Sequence, residues 1–335
     1  MSRQPAGEPA ARDEGAAAER LPRAQAPQPA AEVQAPTLAE EGLAAEALAA
    51  PRRATGVLYW LRSFARNRLA LAGAIVVAVL IVTAVFAGTL APHDPYQPDY
   101  ARLLQPPGPD ALMGTDDLGR DLLSRVIYGA RVSLQASFLS VVIAVLISVP
   151  IGLYSGYRRG WVDEVIVMRV TDALQAIPFL ILALVMAAVL GPGLTNAMIA
   201  IAIGFMPGMV RLVRGQVIAE SSQEYVQAAR AIGAGDSRVM FRHILPNVMA
   251  PVLIQASLYM SEAIIAESSL SYLGLGTQPP QPSWGSMLKY AQGYLQTAPW
   301  TAIWPGVAIF LAVLAFNLLG DGLRDVMDPK LRRSA

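Results

Sequence analysis

The sequence predicts an all-α, polytopic membrane protein with six membrane-spanning helices and a folded elbow on one membrane face. Three observations carry that prediction. The chain of 335 residues is 54% hydrophobic and only 15% charged, with a mean hydropathy of +0.42. That balance belongs to integral membrane proteins. Long runs free of any charged residue recur along the chain. Lys and Arg are shared unevenly between alternate connections.

Residues 1–55 are rich in Ala, Pro, Glu and Arg and contain no sizeable apolar run. Such a segment cannot bury enough surface to offset its ordering entropy, so a disordered and dispensable tail is expected. No short apolar stretch follows the first charges, so it does not read as a signal peptide. Residues 56–105 form an N-terminal segment around the first span, Leu69 to Ala91, which is 23 residues without a charge. At 1.5 Å per residue this run covers roughly 34 Å, enough for the hydrocarbon core. An outer connection from Pro92 to Arg131 follows, and its part 106–131 separates the first span from the main membrane domain. That domain, 132–325, holds the other five helices. The run Val132 to Tyr157 is the second span.

The uncharged stretch Ala173 to Val210 is too long for one helix, and Gly191-Pro192-Gly193 divides it with a tight turn. Its first half is expected to begin near Val165 and to take Arg169 and Asp172 into its first turns. The elbow 215–247 comes next. Val248 to about Leu273 and Trp300 to Leu319 are the fifth and sixth spans, and 326–335 is a short tail. Trp284, Tyr290 and Tyr294, in the connection from Gly274 to Pro299, can anchor at the interface.

Charge sets the orientation. With the N-terminus inside, inner segments hold seventeen Lys and Arg of the 26, outer segments hold five, and the remaining four lie in the distal tail. The positive-inside rule then places both termini and the elbow on the cytoplasmic side.

The elbow reads as two short helical arms. The first carries Val226, Ala229 and Ala231-Ile232 among polar residues. Gly233 and Gly235 end it, because glycine takes the positive φ of a helix C-cap. Asp236 or Ser237 can cap the second arm, whose apolar residues are Met240, Phe241, Ile244 and Leu245. Pro246 is expected to stop it. Such an exposed elbow is a docking part for a soluble partner, or an ordinary amphipathic loop helix.

Several positions inside the spans carry weight. Glu262 and Glu267 are carboxylates in the fifth run, costly unless paired, protonated or facing a cavity. They mark the translocation pathway or a partner interface, or they hydrogen-bond within the bundle. Pro150, Pro178, Pro207, Pro251 and Pro305 can kink their helices, and Gly152, Gly156, Gly204 and Gly208 allow close approach. On the outer side, Asp116, Asp117, Arg120 and Asp121 form a dense cluster. It can pair internally and cap the second helix, touch a delivery protein, or hold a cation, although Arg120 argues against the last.

Enzyme chemistry finds no support. The chain lacks G-x-x-x-x-G-K-[ST], H-E-x-x-H and G-x-S-x-G patterns. Its two histidines, His93 and His243, fall on opposite sides of the membrane, and it has no cysteine, which rules out disulfides and thiolate metal sites. No metal or cofactor is expected.

The elbow stretch Y-V-Q-A-A-R-A-I-G-A-G-D-S-R-V-M-F-R-H-I-L-P-N, which opens at Tyr225, resembles the coupling motif of bacterial ABC importer permeases, E-A-A-x3-G-x9-I-x-L-P. Ala228, Ala229, Gly233, Leu245 and Pro246 match in register. Gln227 stands where the family often has Glu, and His243 stands at the Ile position. The outer strings G-T-D-D-L-G-R-D-L-L-S-R and S-S-L-S-Y-L-G-L-G-T-Q-P-P-Q-P-S-W-G are similar to the C-type permeases of the dipeptide, oligopeptide and nickel class. The resemblance runs from about Arg62 to Lys330.

That resemblance implies the type I ABC importer permease fold in a bacterial inner membrane. It implies a second homologous permease, two cytoplasmic ATP-binding subunits and a periplasmic solute-binding protein, with lipid around the bundle and no nucleic acid. Tyr225 and the five matching residues would couple to the ATPases. The solute would be a short peptide, glutathione or a nickel chelate. An ion-coupled secondary carrier using Glu262 or Glu267, or a plain membrane scaffold, are the readings from other classes.

Overall fold

The computed structural model describes residues 67–327. The expected tail 1–55 and nearly all of the short tail 326–335 lie outside those residues.

The first span, α1 (Arg68–Val85), starts at Asn67, whose side-chain oxygen accepts from the Leu69 and Ala70 N–H groups at 3.1 and 3.2 Å. A short turn, Ala87–Leu90, carries the chain out of the first span into the connection before α2. The second span, α2 (Leu122–Arg158), is 37 residues long. It begins well before the uncharged run, because Arg125 and Arg131 bound the apolar stretch without interrupting the backbone helix. Asp121 caps it, accepting from the Ser124 N–H at 2.8 Å and the Ser124 hydroxyl at 2.6 Å.

The third span departs from expectation. A wider, π-type turn at Val162–Val167 leads into α3 (Met168–Gln175), then the chain breaks, and α4 (Phe179–Leu190) leaves at 97° to that first piece. Pro178 explains the break. It has no N–H to donate to the preceding turn, and it biases Ile177 away from helical backbone. By itself α4 covers only about 18 Å. The Gly191–Gly193 turn leads, as expected, into α5 (Leu194–Ser221).

The elbow follows. Its first arm is α6 (Glu224–Ala231), and its second begins with Asp236–Arg238 and a π-type turn at Val239–Ile244. This second arm does not stop at Pro246. It runs on into α7 (Leu245–Tyr272), with Pro246 in the first α-helical turn. The π-type turn just before it, a local widening of the kind that accommodates proline within a membrane helix, takes up the missing N–H. The outer connection then folds into α8 (Trp284–Ala291), where Ser283 and Ser286 cap one another, and α9 (Trp300–Met327) closes the bundle. Among the described residues, α1, α2, α5, α9 and the continuous Asp236–Tyr272 helix are long and apolar enough to cross a membrane, and the bent pair passes the same test only when its two pieces are taken together, which brings the count to six.

Small residues hold the bundle together, as they must where lipid removes the hydrophobic drive between helices. A Cβ on Gly152 would stand 2.7 Å from the Val213 side chain, and one on Gly156 would stand 2.7 Å from the Arg214 carbonyl. These positions set how closely α2 packs on α5. Asn67 donates to Asp325 at 2.9 Å and ties the start of α1 to the end of α9.

The outer charged cluster pairs internally. Asp116 accepts from Arg120 at 2.7 Å and lies 3.2 Å from Arg125, while Arg125 also donates to the Pro95 carbonyl at 2.8 Å. A hydrogen bond from Arg102 holds the Asp99 carboxyl below the usual carboxylate range, and burial beside Asp116 pushes Asp117 above it. Trp284 is not an interfacial anchor. It is 1% exposed, and its indole N–H donates to the Val126 carbonyl at 3.1 Å.

Candidate coupling elbow and membrane cavity

The elbow is built as a rigid part. Val226, Val239 and Ile244 are buried in the core of the bundle, so both arms share it. Gly233 ends α6 with φ +86°, the left-handed conformation expected from the sequence. Asp236 does not cap the second arm. Its carboxylate turns to α2 instead, accepting from the Tyr157 hydroxyl at 2.8 Å and from Arg158 at 3.0 Å, while the Arg230 guanidinium lies 5.0 Å over the Tyr157 ring.

Tyr225 is the second tie. Its hydroxyl donates to Glu220 at the end of α5, lies 3.1 Å from the His243 carbonyl, and accepts from Asn247 of α7 at 2.8 Å. Burial, followed by the Glu220 carboxylate, pushes the phenol up to about 12, so it stays a neutral donor at cellular pH. Gln227, where the motif often has Glu, donates to the Ser221 carbonyl at 3.1 Å. Through these bonds the elbow is fastened to α2, α5 and α7 together.

Its tip is left open. Ile232 is 86% exposed, Phe241 is 60% exposed, and nothing lies within 4 Å of where a Gly233 side chain would begin. Ala228 and Pro246 are exposed and Leu245 is half-buried, but Ala229 is buried in the chain's own fold. The matched motif therefore splits into residues that hold the elbow together and residues presented on its surface. The sequence placed Ile232 and Phe241 among the apolar positions of the arms, but only the fold shows that they face outward.

A further clamp lies at the inner ends of the spans, where sequence reasoning singled out neither partner. Asp163 accepts from Arg214 twice, at 2.8 and 2.6 Å, and from the Ser155 hydroxyl. It fixes the π-type turn after α2 to α5 with bidentate geometry.

The two membrane carboxylates part company. Glu267 is fully buried within the chain and accepts from Ser271 at 2.7 Å, so it hydrogen-bonds in the bundle. Glu262 is exposed and borders a cavity of about 230 Å³ with Gln175, Pro178, Phe179, Phe205 and Tyr259. Three of these rings stack in series. Phe179 on Phe205 is 4.6 Å between centroids and Phe205 on Tyr259 is 4.3 Å, both nearly parallel. The Gly204 and Gly208 positions make room for this stack, and so let α4 and α7 pack against α5 through Phe179 and Tyr259. A Cβ on Gly204 would stand 2.7 Å from the Phe179 ring, and one on Gly208 would stand 2.4 Å from the Tyr259 hydroxyl. The three aromatic residues come from different helices, so no local pattern announces them.

Comparison with known proteins gives the family. The model of the binding-protein-dependent transport system inner membrane component matches residues 148–333, and that of the N-terminal TM domain of oligopeptide transport permease C matches residues 59–107. The chain is 47% identical over 283 residues to the di/tripeptide transport system permease protein of Pseudomonas aeruginosa, covering 83% of this chain and 93% of that one. It is 42% identical over 281 residues to the dipeptide transport system permease protein of Alkalihalophilus pseudofirmus, covering 83% and 92%. It is 44% identical over 275 residues to the glutathione transport system permease protein of Pectobacterium atrosepticum, covering 82% and 91%. A solved inward-facing structure of the MetNI methionine ABC transporter aligns with a TM-score of 0.51 at 20% identity, covering 62% of this chain and 98% of that one, a likeness of fold alone. The described fold, its elbow and these matches together make the chain a member of the family of binding-protein-dependent transport system inner membrane components, the multi-pass permease subunits of ABC importers.

Proposed function

We propose that this chain forms half of the translocation pathway of an importer for short peptides. It pairs with a second homologous permease, receives solute from a periplasmic binding protein, and is driven by two cytoplasmic ATP-binding subunits. The observation that carries the reading is the elbow. Its tip offers unpartnered Ile232 and Phe241, while its base is bonded to α2, α5 and α7. A partner that moves the tip must move those helices, since a rigid element with two arrangements transmits its displacement. The absence of a phosphate-binding loop from the sequence assigns ATP hydrolysis to other chains.

Peptide as the solute rests on relatives named for dipeptides and di/tripeptides. Relatives named for glutathione are about as similar, and glutathione is itself a small peptide, so it is the second reading. An ion-coupled carrier is disfavoured. The family is that of binding-protein-dependent systems.

The proposed orientation puts both termini and the elbow in the cytoplasm. The chain contains no cysteine, so single cysteines report cleanly. In spheroplasts, Thr195→Cys and Gln278→Cys, both at exposed outer positions, are expected to react with a membrane-impermeant maleimide. Ser222→Cys and Ser237→Cys, exposed at the elbow, are expected to react only after permeabilisation. Labelling of position 222 or 237 from outside would overturn the reading, because ATP-binding subunits could not then reach the elbow.

A further inference from the structure

We propose that Glu262 and the Phe179–Phe205–Tyr259 stack form a cation site in the pathway that takes the α-ammonium group of the passing peptide. This inference rests on the peptide reading above and goes beyond it by assigning a residue and a chemical group.

Depth supports the assignment. Phe179 begins α4, twelve residues from the outer glycine turn, so the break at Pro178 lies about 18 Å inward, near the middle of a hydrocarbon core of roughly 30 Å. Non-helical backbone at that depth is tolerated only where it is buried in protein or lines a water-filled space. The break borders the cavity of about 230 Å³ that Glu262 also borders, and an ionisable side chain facing lipid there would cost several kcal/mol. The face of α7 that carries Glu262 therefore turns away from lipid, and is taken as a pathway face.

Charge supports it next. Asp163 has Arg214, and Glu267 has Ser271. Glu262 has neither an ion-pair nor a hydrogen-bond partner among the described residues. It stands one turn from Tyr259 on α7, and Tyr259 closes the ring stack. Phe205 lies between the other two rings and is 2% exposed, so it backs the site. A cation beside Glu262 would meet the carboxylate by charge-assisted hydrogen bonds and the outer rings, Phe179 and Tyr259, by their quadrupoles. Gly204 and Gly208, whose Cβ atoms would strike Phe179 and Tyr259, let those two side chains seat against α5 and so fix the wall of the cavity beside Glu262. A peptide's free amino terminus is the cation that every member of the solute class carries.

The test uses the full transporter in proteoliposomes with its binding protein and a photoreactive dipeptide, benzoylphenylalanyl-alanine, whose label sits on the residue that bears the α-ammonium, with adducts mapped by mass spectrometry. In the unaltered complex the adduct is expected on the cavity-lining residues beside Glu262, namely Gln175, Phe179 or Tyr259. Glu262→Gln, the same size without the charge, is expected to lower both adduct and uptake about tenfold or more, the scale of removing one charge-assisted hydrogen bond in a site shielded from water. Glu262→Asp should keep part of both. Uptake of the dipeptide by the unaltered complex with the adduct elsewhere, or wild-type uptake by Glu262→Gln, would overturn the site and leave the peptide reading intact. No dipeptide uptake by the unaltered complex would instead remove the peptide reading itself. Should Glu262→Gln fail to reach the membrane, the adduct map of the unaltered complex still decides.

Discussion

Ile232→Asp is expected to leave the chain inserted and paired while lowering uptake and solute-stimulated ATP hydrolysis together by tenfold or more. Ile232 is 86% exposed at the elbow tip, so its replacement should change the stability of the isolated chain by no more than about 0.5 kcal/mol. In the assembled transporter the same side chain would be buried against an ATP-binding subunit, where an isoleucine contributes about 1.5–3 kcal/mol and an unpaired carboxylate costs more. Gly233→Val should act in the same direction. At φ +86° a β-branched residue is strained by roughly 1–2 kcal/mol, yet its Cβ would meet nothing in the chain itself. Ala229→Trp is a poor probe by contrast, because Ala229 is 7% exposed and the indole would strike the elbow's own core. Parallel assays of ATPase rate and uptake decide the matter. Normal values in both Ile232→Asp and Gly233→Val would mean that the tip touches nothing.

The largest stability effect should come from Asp163→Ala. The Asp163 side chain is 3% exposed and holds Arg214 through two hydrogen bonds, with Ser155 as a third donor. Removing it strands a guanidinium that is only a quarter exposed and opens the joint between α2, the π-type turn and α5. Breaking a buried pair from one side costs about 3–5 kcal/mol, and the partial exposure of Arg214 points to the lower end. The double variant Asp163→Leu with Arg214→Met should recover much of the loss, because it leaves no unpaired charge. Thermal unfolding in detergent measures both. A single variant as stable as the parent would show that the clamp does not hold the inner ends together.

Much of this architecture is legible in the sequence, for physical reasons that also mark the limits. Spans are legible because hydrocarbon tolerates few charges, so Leu69–Ala91 and the stretch around Gly191–Gly193 stand out. The Gly233 turn is legible because few other residues take its φ. Prolines are harder to read, since their effect depends on position. Pro178 breaks a span that the charge pattern leaves continuous, and Pro246 opens a helix that it was expected to end. Side-chain partners are harder still. Asp236 has the chemistry of a cap but is captured by Tyr157 and Arg158 from the far end of α2. Glu262 and Glu267, equivalent as charged residues in one apolar run, are separated only by which side of α7 meets protein. The aromatic stack is assembled from α4, α5 and α7, and tertiary proximity of that kind leaves no local signal.

The central claim is that this chain transports only as part of an assembly whose ATPase works through the elbow. Uptake of a radiolabelled dipeptide into proteoliposomes tests it most directly, comparing the chain alone with the chain plus the proposed second permease, ATP-binding subunits and binding protein. The expected result is no uptake by the lone chain, with or without a proton gradient, and ATP-dependent uptake by the full assembly. Gradient-driven uptake by the lone chain would contradict the account.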